Sequence, residues 1–353
     1  MSRFFSKRLE MLEPYVPGEQ PVDMEYIKLN TNESPYPPPP GVVAAIGGAE
    51  IERLNLYPNP DGMRLIEKLA NYYGMSNENI IIGNGSDELL AFAFQAFCDD
   101  ERSVVFPDIT YGFYPVYARL YGIPYTQIPL KSDLGIDIAD YCSIEKNIVL
   151  ANPNAPTGIA LKPDAIEAIV RSNPGHVVLI DEAYVDFGAE SAMMLTHKYD
   201  NLLILHTFSK SRSMAGARLA YAVASAPIIE DLNRMKYSFN PYNVNRLTQL
   251  AGEAALEDDA YYSARHSEIV QTREYTDSKL KELGFDATDS LANFVFVKHP
   301  AFGGYELYAA LKEKGILVRN FKKPRISEYI RITIGTRSQM DALIAAISDI
   351  VKE

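Results

Sequence analysis

Residues 147–184 read NIVLANPNAPTGIALKPDAIEAIVRSNPGHVVLIDEAY. Two short apolar runs rich in β-branched residues, NIVL and VVLI, flank PDAIEAIVRS, a segment with helical periodicity. The same alternation extends in both directions. NIIIG (79–83) precedes SDELLAFAFQAFC, SVVFP (103–107) precedes YGFYPVYARLYG, and NLLILHTFS (201–209) and RLAYAVAS (218–225) add further runs. Continuous apolar strands interleaved with helices predict an α/β domain whose mostly parallel sheet is covered by helices on both faces.

After about residue 225 the texture changes to longer helical patterns, followed by NFVFVKH, a helix through YELYAALKEKG, then ILVRN, YIRITIG and a closing helix. That layout predicts a smaller α+β C-terminal domain, with one long helix around 245–282 as the bridge. The tract SPYPPPPG at 34–41 forces an extended connector. The expected organisation is an N-terminal arm over 1–29 that packs with the small domain or a partner subunit, a large domain over 30–245 and a small domain over 246–353.

With 353 residues, 47% of them hydrophobic, the chain can bury a substantial core. A net charge of −12 and the lack of a dense basic run argue against nucleic acid as a partner. No apolar run approaches the roughly 20 residues of a membrane helix, and the N-terminus lacks an apolar targeting region, so a cytoplasmic location is expected. Cys98 and Cys142 lack metal-ligand spacing and read as inert hydrophobes, and five scattered histidines argue against a protein-built metal centre.

In an open α/β sheet, ligands bind beyond the carboxyl ends of the strands. Four such ends carry unusual chemistry: GNGSDE (83–88), ANPNAPTG (151–158), DEAY (181–184) and TFSK (207–210). GNGSDE places glycines and Ser86 where a helix begins, which suits an anionic ligand or, equally, a plain turn capped by Ser86 or Asp87. Asp181 ends a buried run, where ionisation is costly unless a cation or donors face it. Lys210 ends another; Arg212 and Arg218 nearby, together with partial burial, favour its neutral, nucleophilic form. A phosphate cradle, a carboxylate, an amine and an arginine are what pyridoxal phosphate requires for its phosphate, ring nitrogen and aldehyde.

NPNAPTG, DEAY and TFSKSRSMAGAR resemble the fold-type I pyridoxal-phosphate aminotransferases, and LNTNESPYPPPP, YPNPDG and RITIGTR are similar to the histidinol-phosphate aminotransferase family. The likeness spans nearly the whole chain and implies a large domain with a mostly parallel, seven-stranded-type sheet. It also implies the roles of particular residues. Lys210 would hold the cofactor covalently, Asp181 would pair with the pyridine nitrogen, Tyr184 would bond the ring oxygen and Tyr111 would lie over the ring. Ser86, Asp87, Thr207, Ser209 and Arg218 would receive the cofactor phosphate; Arg218 lies at the family's spacing after Lys210, whereas Arg212 reads as a solvated or interface charge. Relatives carry an asparagine where this chain has Ala155, so Asn154 is the expected substitute, with Asn152 as the alternative. Arg331 would bind a substrate carboxylate, Arg319 a substrate phosphate, and Tyr15 and Asn30 would close on the substrate. Tyr57 corresponds to a tyrosine that reaches the cofactor of the other subunit, which implies a homodimer with composite sites.

The resemblance implies reversible transamination between L-histidinol phosphate and 2-oxoglutarate in histidine biosynthesis. Two readings of the same fold stand beside it: an aminotransferase for aromatic or branched amino acids, and a threonine-phosphate decarboxylase-like enzyme. A non-catalytic ligand-sensing domain is the alternative from another class.

Overall fold

The computed structural model describes residues 2–10 and 12–352. Strand β1 (Ile27–Lys28) and helices α1 (Pro40–Ala45) and α2 (Met63–Tyr73) lead into the large sheet. Its elements follow in chain order as β2 (Ile80–Gly83), α3 (Ser86–Phe97), β3 (Val104–Pro107), α4 (Tyr114–Tyr121), β4 (Tyr125–Ile128), β5 (Asn147–Ala151), α5 (Pro163–Ser172), β6 (Val178–Asp181), β7 (Leu202–Thr207) and β8 (Ala220–Val223). The seven strands lie in the order β2-β8-β7-β6-β5-β3-β4. Only β8 runs against its neighbours β2 and β7; every other pairing is parallel.

Six of the seven strands are buried at every position, whereas the edge strand β4 turns Thr126 and Gln127 to solvent. Alternate residues supply opposite cores, as the pleat requires. Ile148, Leu150, Ile180 and Ile204 pack with Leu65 and Leu69 of α2 and Ile166 and Ile169 of α5. Val149, Leu179, Leu203 and Leu205 pack with α3, α4 and α6 (Ala226–Phe239) on the other side. The helix-sandwiched α/β architecture is therefore the one the sequence pattern predicts.

Beyond α6 come α7 (Arg246–Ala255), α8 (Asp259–Glu282), β9 (Asp286–Ala287), β10 (Phe294–Lys298), α9 (Gly304–Glu313), β11 (Ile316–Leu317), β12 (Arg319–Asn320), β13 (Tyr329–Thr333) and α10 (Arg337–Lys352). Four of these strands form an antiparallel sheet, β12-β13-β10-β9, and β1 pairs in parallel with β11. Leu29, just past β1, sits in the core of this second sheet.

The single helix expected over 245–282 is two. Asn245 accepts the Thr248 N–H and starts α7; Asp258 accepts the Tyr261 N–H and starts α8. Each is an N-cap whose side-chain oxygen takes an otherwise unpaired backbone donor. Ala251 and Ala255 of α7 belong to the large-sheet core, as does Tyr262 at the start of α8, whereas Ile269 and Leu280 belong to the small-domain core. The change of packing falls within α8, some way past residue 246. Among the described residues, no helix is long and apolar enough to cross a membrane.

Candidate active site

The carboxyl ends of the parallel strands open into a cavity of about 770 Å³ between the two sheets. Tyr15 and Asn30 enter it from the N-terminal segment, and Arg319 and Arg331 from the small-domain sheet. Ser86, Asp87, Tyr111, Asp181, Tyr184, Thr207, Ser209, Lys210 and Arg218 line it from the large sheet.

Lys210 follows β7 in a turn held by the Met214 N–H donating to the Phe208 carbonyl at 3.0 Å. Its Nζ donates to the Thr31 carbonyl at 3.0 Å. Burial first, then the Arg331 and Arg218 guanidiniums, lower its amine to about 8, against the opposing pull of Glu33 and Asp87. The expected low-pKa lysine is therefore present, but one of the charges responsible comes from the far end of the chain. Arg212 turns away instead. It donates to the Ala255 carbonyl (3.1 Å), to Asp259 (2.9 Å) and to the Tyr72 hydroxyl (3.2 Å), and lies over the Tyr262 ring. Far from being solvated, its side chain is 13% exposed and bolts the segment after Lys210 to the junction of α7 and α8.

Asp181 closes β6 in full burial, which pushes its carboxyl up to about 6. Two donors oppose that push: the Tyr114 hydroxyl at 3.1 Å from Oδ2 and the Ala183 N–H at 3.2 Å from Oδ1. The Tyr184 hydroxyl accepts from Asn32 Nδ2 at 3.0 Å, and its ring stands edge-on to Phe294. Asn32 is itself fixed by Thr333, whose hydroxyl donates to Asn32 Oδ1 at 3.0 Å. Neither Asn32 nor Tyr114 stood out in the sequence. Asn32 lies two residues from Asn30 in an extended segment, and Tyr114 reads as one more core aromatic.

Gly85 (φ +77°) precedes α3, so the helix is capped by neither the Ser86 nor the Asp87 side chain. A Cβ there would meet Arg218 Nη2 at 2.4 Å, so the glycine lets the guanidinium lie against the helix N-terminus. Arg218 pairs with Asp87 at 3.3 Å, and Tyr111 donates to the other Asp87 oxygen at 2.8 Å. Thr207 donates to Ser209 at 3.0 Å beside them. Free N–H groups at the helix start, two hydroxyls and a guanidinium form an anion cradle.

Arg331 donates to the Asn30 carbonyl at 3.1 Å and lies over Phe294 and Phe321. Arg319 donates to the carbonyls of Pro17 and Val16 at 3.0 and 2.9 Å, holding the arm across the cavity mouth. Tyr15, on that arm, stacks on Phe113 at 4.4 Å.

Two expected residues lie elsewhere. Asn154 is buried outside the cavity wall, accepting from Thr110 (2.7 Å) and donating to the Ile109 carbonyl (3.0 Å) and Thr157 (3.2 Å). Asn152 is spent on both backbone groups of Leu161. Neither amide replaces the one missing at Ala155, which lines the cavity as a bare methyl. Tyr57 is 77% exposed and is not among the residues lining the cavity; it stacks on Tyr242.

Residues 24–347 match the model of the aminotransferase class I and II family. The histidinol-phosphate aminotransferase 1 of Bradyrhizobium diazoefficiens is 50% identical over 351 residues, 99% of this chain and 100% of that one. The histidinol-phosphate aminotransferase of Brachyspira hyodysenteriae is 49% identical over the full length of both chains. This chain belongs to the class I and II aminotransferase family. The fold agrees: the Sinorhizobium meliloti histidinol-phosphate aminotransferase, solved with pyridoxal 5′-phosphate, superposes with a TM-score of 0.85 at 23% identity, covering 93% of this chain and 92% of that one.

The cavity of this aminotransferase fits that cofactor on its own evidence. It offers an amine of lowered pKa, a buried carboxylate and an anion cradle that a single Cβ at Gly85 would fill. It also holds buried polar atoms without a partner among the described residues, Asn30 Oδ1 and Arg331 Nε, on the substrate side.

Proposed function

We propose that the chain transfers an amino group reversibly between L-histidinol phosphate and 2-oxoglutarate, giving imidazole acetol phosphate and L-glutamate, in histidine biosynthesis. The observation that carries this reading is the collection of Lys210, Asp181, Tyr184 and Arg331 around one cavity. Identity near one half to histidinol-phosphate aminotransferases, along the whole of each chain, supports the substrate.

Pyridoxal phosphate, when bound, would supply an electron-withdrawing ring that acidifies the substrate's α-carbon and carries the amino group between the two substrates. Lys210 would anchor it through Nζ; once released, the same nitrogen, whose burial lowers it to about 8 and so eases loss of its own proton, would take the proton from the substrate α-carbon. Asp181 would hold the ring nitrogen's proton, and the Tyr114 hydroxyl orients that carboxylate. Tyr184, set by Asn32, would bond the ring oxygen. Ser86, Asp87, Thr207, Ser209 and Arg218 would hold the phosphate, and Tyr111, tied to Asp87, would cover the ring face. Arg331 would pair with a substrate anion in the fork geometry that suits carboxylate and phosphate. Arg319 and Tyr15 would close the arm over it.

Ile51, Leu54, Leu56, Tyr57 and Phe239 are each at least half exposed. A second copy of the chain covering this face would place Tyr57 in the neighbouring cavity, and a cytoplasmic homodimer is the assembly we propose. The test is a substrate panel: half-transamination of histidinol phosphate, phenylalanine, tyrosine and threonine phosphate, followed by the cofactor's visible spectrum. Preference for histidinol phosphate is expected. Preference for an aromatic amino acid, or release of carbon dioxide from threonine phosphate, would overturn the substrate but leave the family intact.

A further inference from the structure

Lys236 of α6 is 1% exposed and takes no part in the cavity. A buried ammonium is unfavourable unless its protons are received, and burial accordingly lowers the pKa of this amine. Its partner is the Pro60 carbonyl, at 2.8 Å. Two further carbonyls of the same loop are received in the same manner. Gln249 of α7 donates to the Asn59 carbonyl at 2.8 Å, and Arg246 donates to the Tyr57 carbonyl at 3.0 Å. Asn59 closes the turn from inside, its Oδ1 accepting the Asp61 and Gly62 N–H groups at 2.9 and 3.2 Å. Within LYPNPDG the prolines at 58 and 60 restrict the chain further.

The loop is thus held at three of its carbonyls, those of Tyr57, Asn59 and Pro60, by side chains reaching up from two helices. What it displays is Tyr57, 77% exposed and stacked on Tyr242 at 4.5 Å. We propose that Lys236 is a positioning residue: by holding the Pro60 carbonyl it sets the loop that aims Tyr57 at the cofactor phosphate in the partner subunit's cavity. The inference rests on the composite-site reading given above.

The experiment measures the cofactor dissociation constant of the full-length protein by fluorescence titration, with the mass in solution and the melting temperature recorded alongside. Lys236→Met removes the ammonium and keeps the volume. It is expected to leave the dimer intact and weaken the cofactor roughly tenfold, as loss of one charge-assisted hydrogen bond does. Tyr57→Phe is expected to do the same, and the double variant to be no weaker than either single one, because both changes remove one contact. Unchanged affinity in Lys236→Met, or losses that multiply in the double variant, would show that Lys236 merely stabilises the fold and would overturn the proposal. Should Lys236→Met fail to fold, Arg246→Ala, on the half-buried companion contact, decides in the same direction: unchanged affinity overturns it. A monomeric wild-type protein, or a Tyr57→Phe variant of full affinity, sinks the composite-site reading and this proposal together. A Tyr57 effect without a Lys236 effect sinks this proposal alone.

Discussion

Lys210 and Asp181 are moved in opposite directions by one cause, because burial disfavours the charged form of each: the amine falls to about 8 and the carboxyl rises to about 6. Lys210→Ala removes the only amine proposed to anchor the cofactor. It should abolish the protein-linked visible absorption and cut turnover by about a thousandfold or more, with little change in melting temperature. Asp181 gives a pH prediction. Its ionised form is the one that would face the protonated ring nitrogen, so cofactor affinity should be full above about 6 and fall as pH drops through that value. Stability of the cofactor-free protein runs the other way: the folded carboxyl binds its proton more tightly than the unfolded one, so this group adds stability as pH falls from about 6 toward its ordinary value of 3.8. Tyr114→Phe deletes a hydrogen bond that favours the carboxylate and should shift the affinity midpoint upward. Titrations of cofactor binding between pH 5 and 8 check both statements; an unmoved midpoint in the variant would remove Tyr114 from the site.

At the scale of elements, the start of α3 concentrates the cradle's requirements. Gly85 combines a left-handed φ of +77° with a 2.4 Å approach of Arg218 to any added Cβ. Gly85→Ala should therefore cost stability of about 1–2 kcal/mol from the backbone alone and displace the guanidinium, weakening the cofactor by about tenfold or more. Thermal unfolding and a cofactor titration separate the two effects; an alanine variant that binds normally would show that Arg218 is not needed against the helix. This element was readable in GNGSDE, since its glycines and position after an apolar run come from local chain geometry. The break between α7 and α8 was not: polar residues run through both helices, and one side-chain cap, Asp258, divides them without changing the periodicity. The burial of Arg212, expected as a solvated or interface charge, was not legible for a related reason. A charge beside a catalytic-looking lysine reads as solvated until the fold brings Tyr72, Tyr262 and Asp259 around it.

Over the whole molecule, what was legible is what strand ends and motif order carry, and what was not is what distant segments do to one another. Asn32 reaches Tyr184 and Thr333, and Arg331 lowers the Lys210 amine across 121 positions of sequence. Asn154 is a further case, a residue in the right motif whose amide is consumed by Thr110 and Ile109 of the loop after β3. Tyr57 extends that logic beyond one chain, because it does not line the active-site cavity of its own protomer. If each cavity takes Lys210 from one chain and Tyr57 from the other, Lys210→Ala and Tyr57→Ala should complement. The mixed dimer has one cavity bearing both defects and one bearing neither. Random reassortment of equal amounts makes half the dimers mixed, so about a quarter of all cavities become intact. At limiting cofactor, where Tyr57→Ala alone binds poorly, the mixture should recover close to that fraction of wild-type turnover. Cavities completed within a single chain would instead give the average of the two parents, so activity at that average after exchange of subunits would place Tyr57 outside the site.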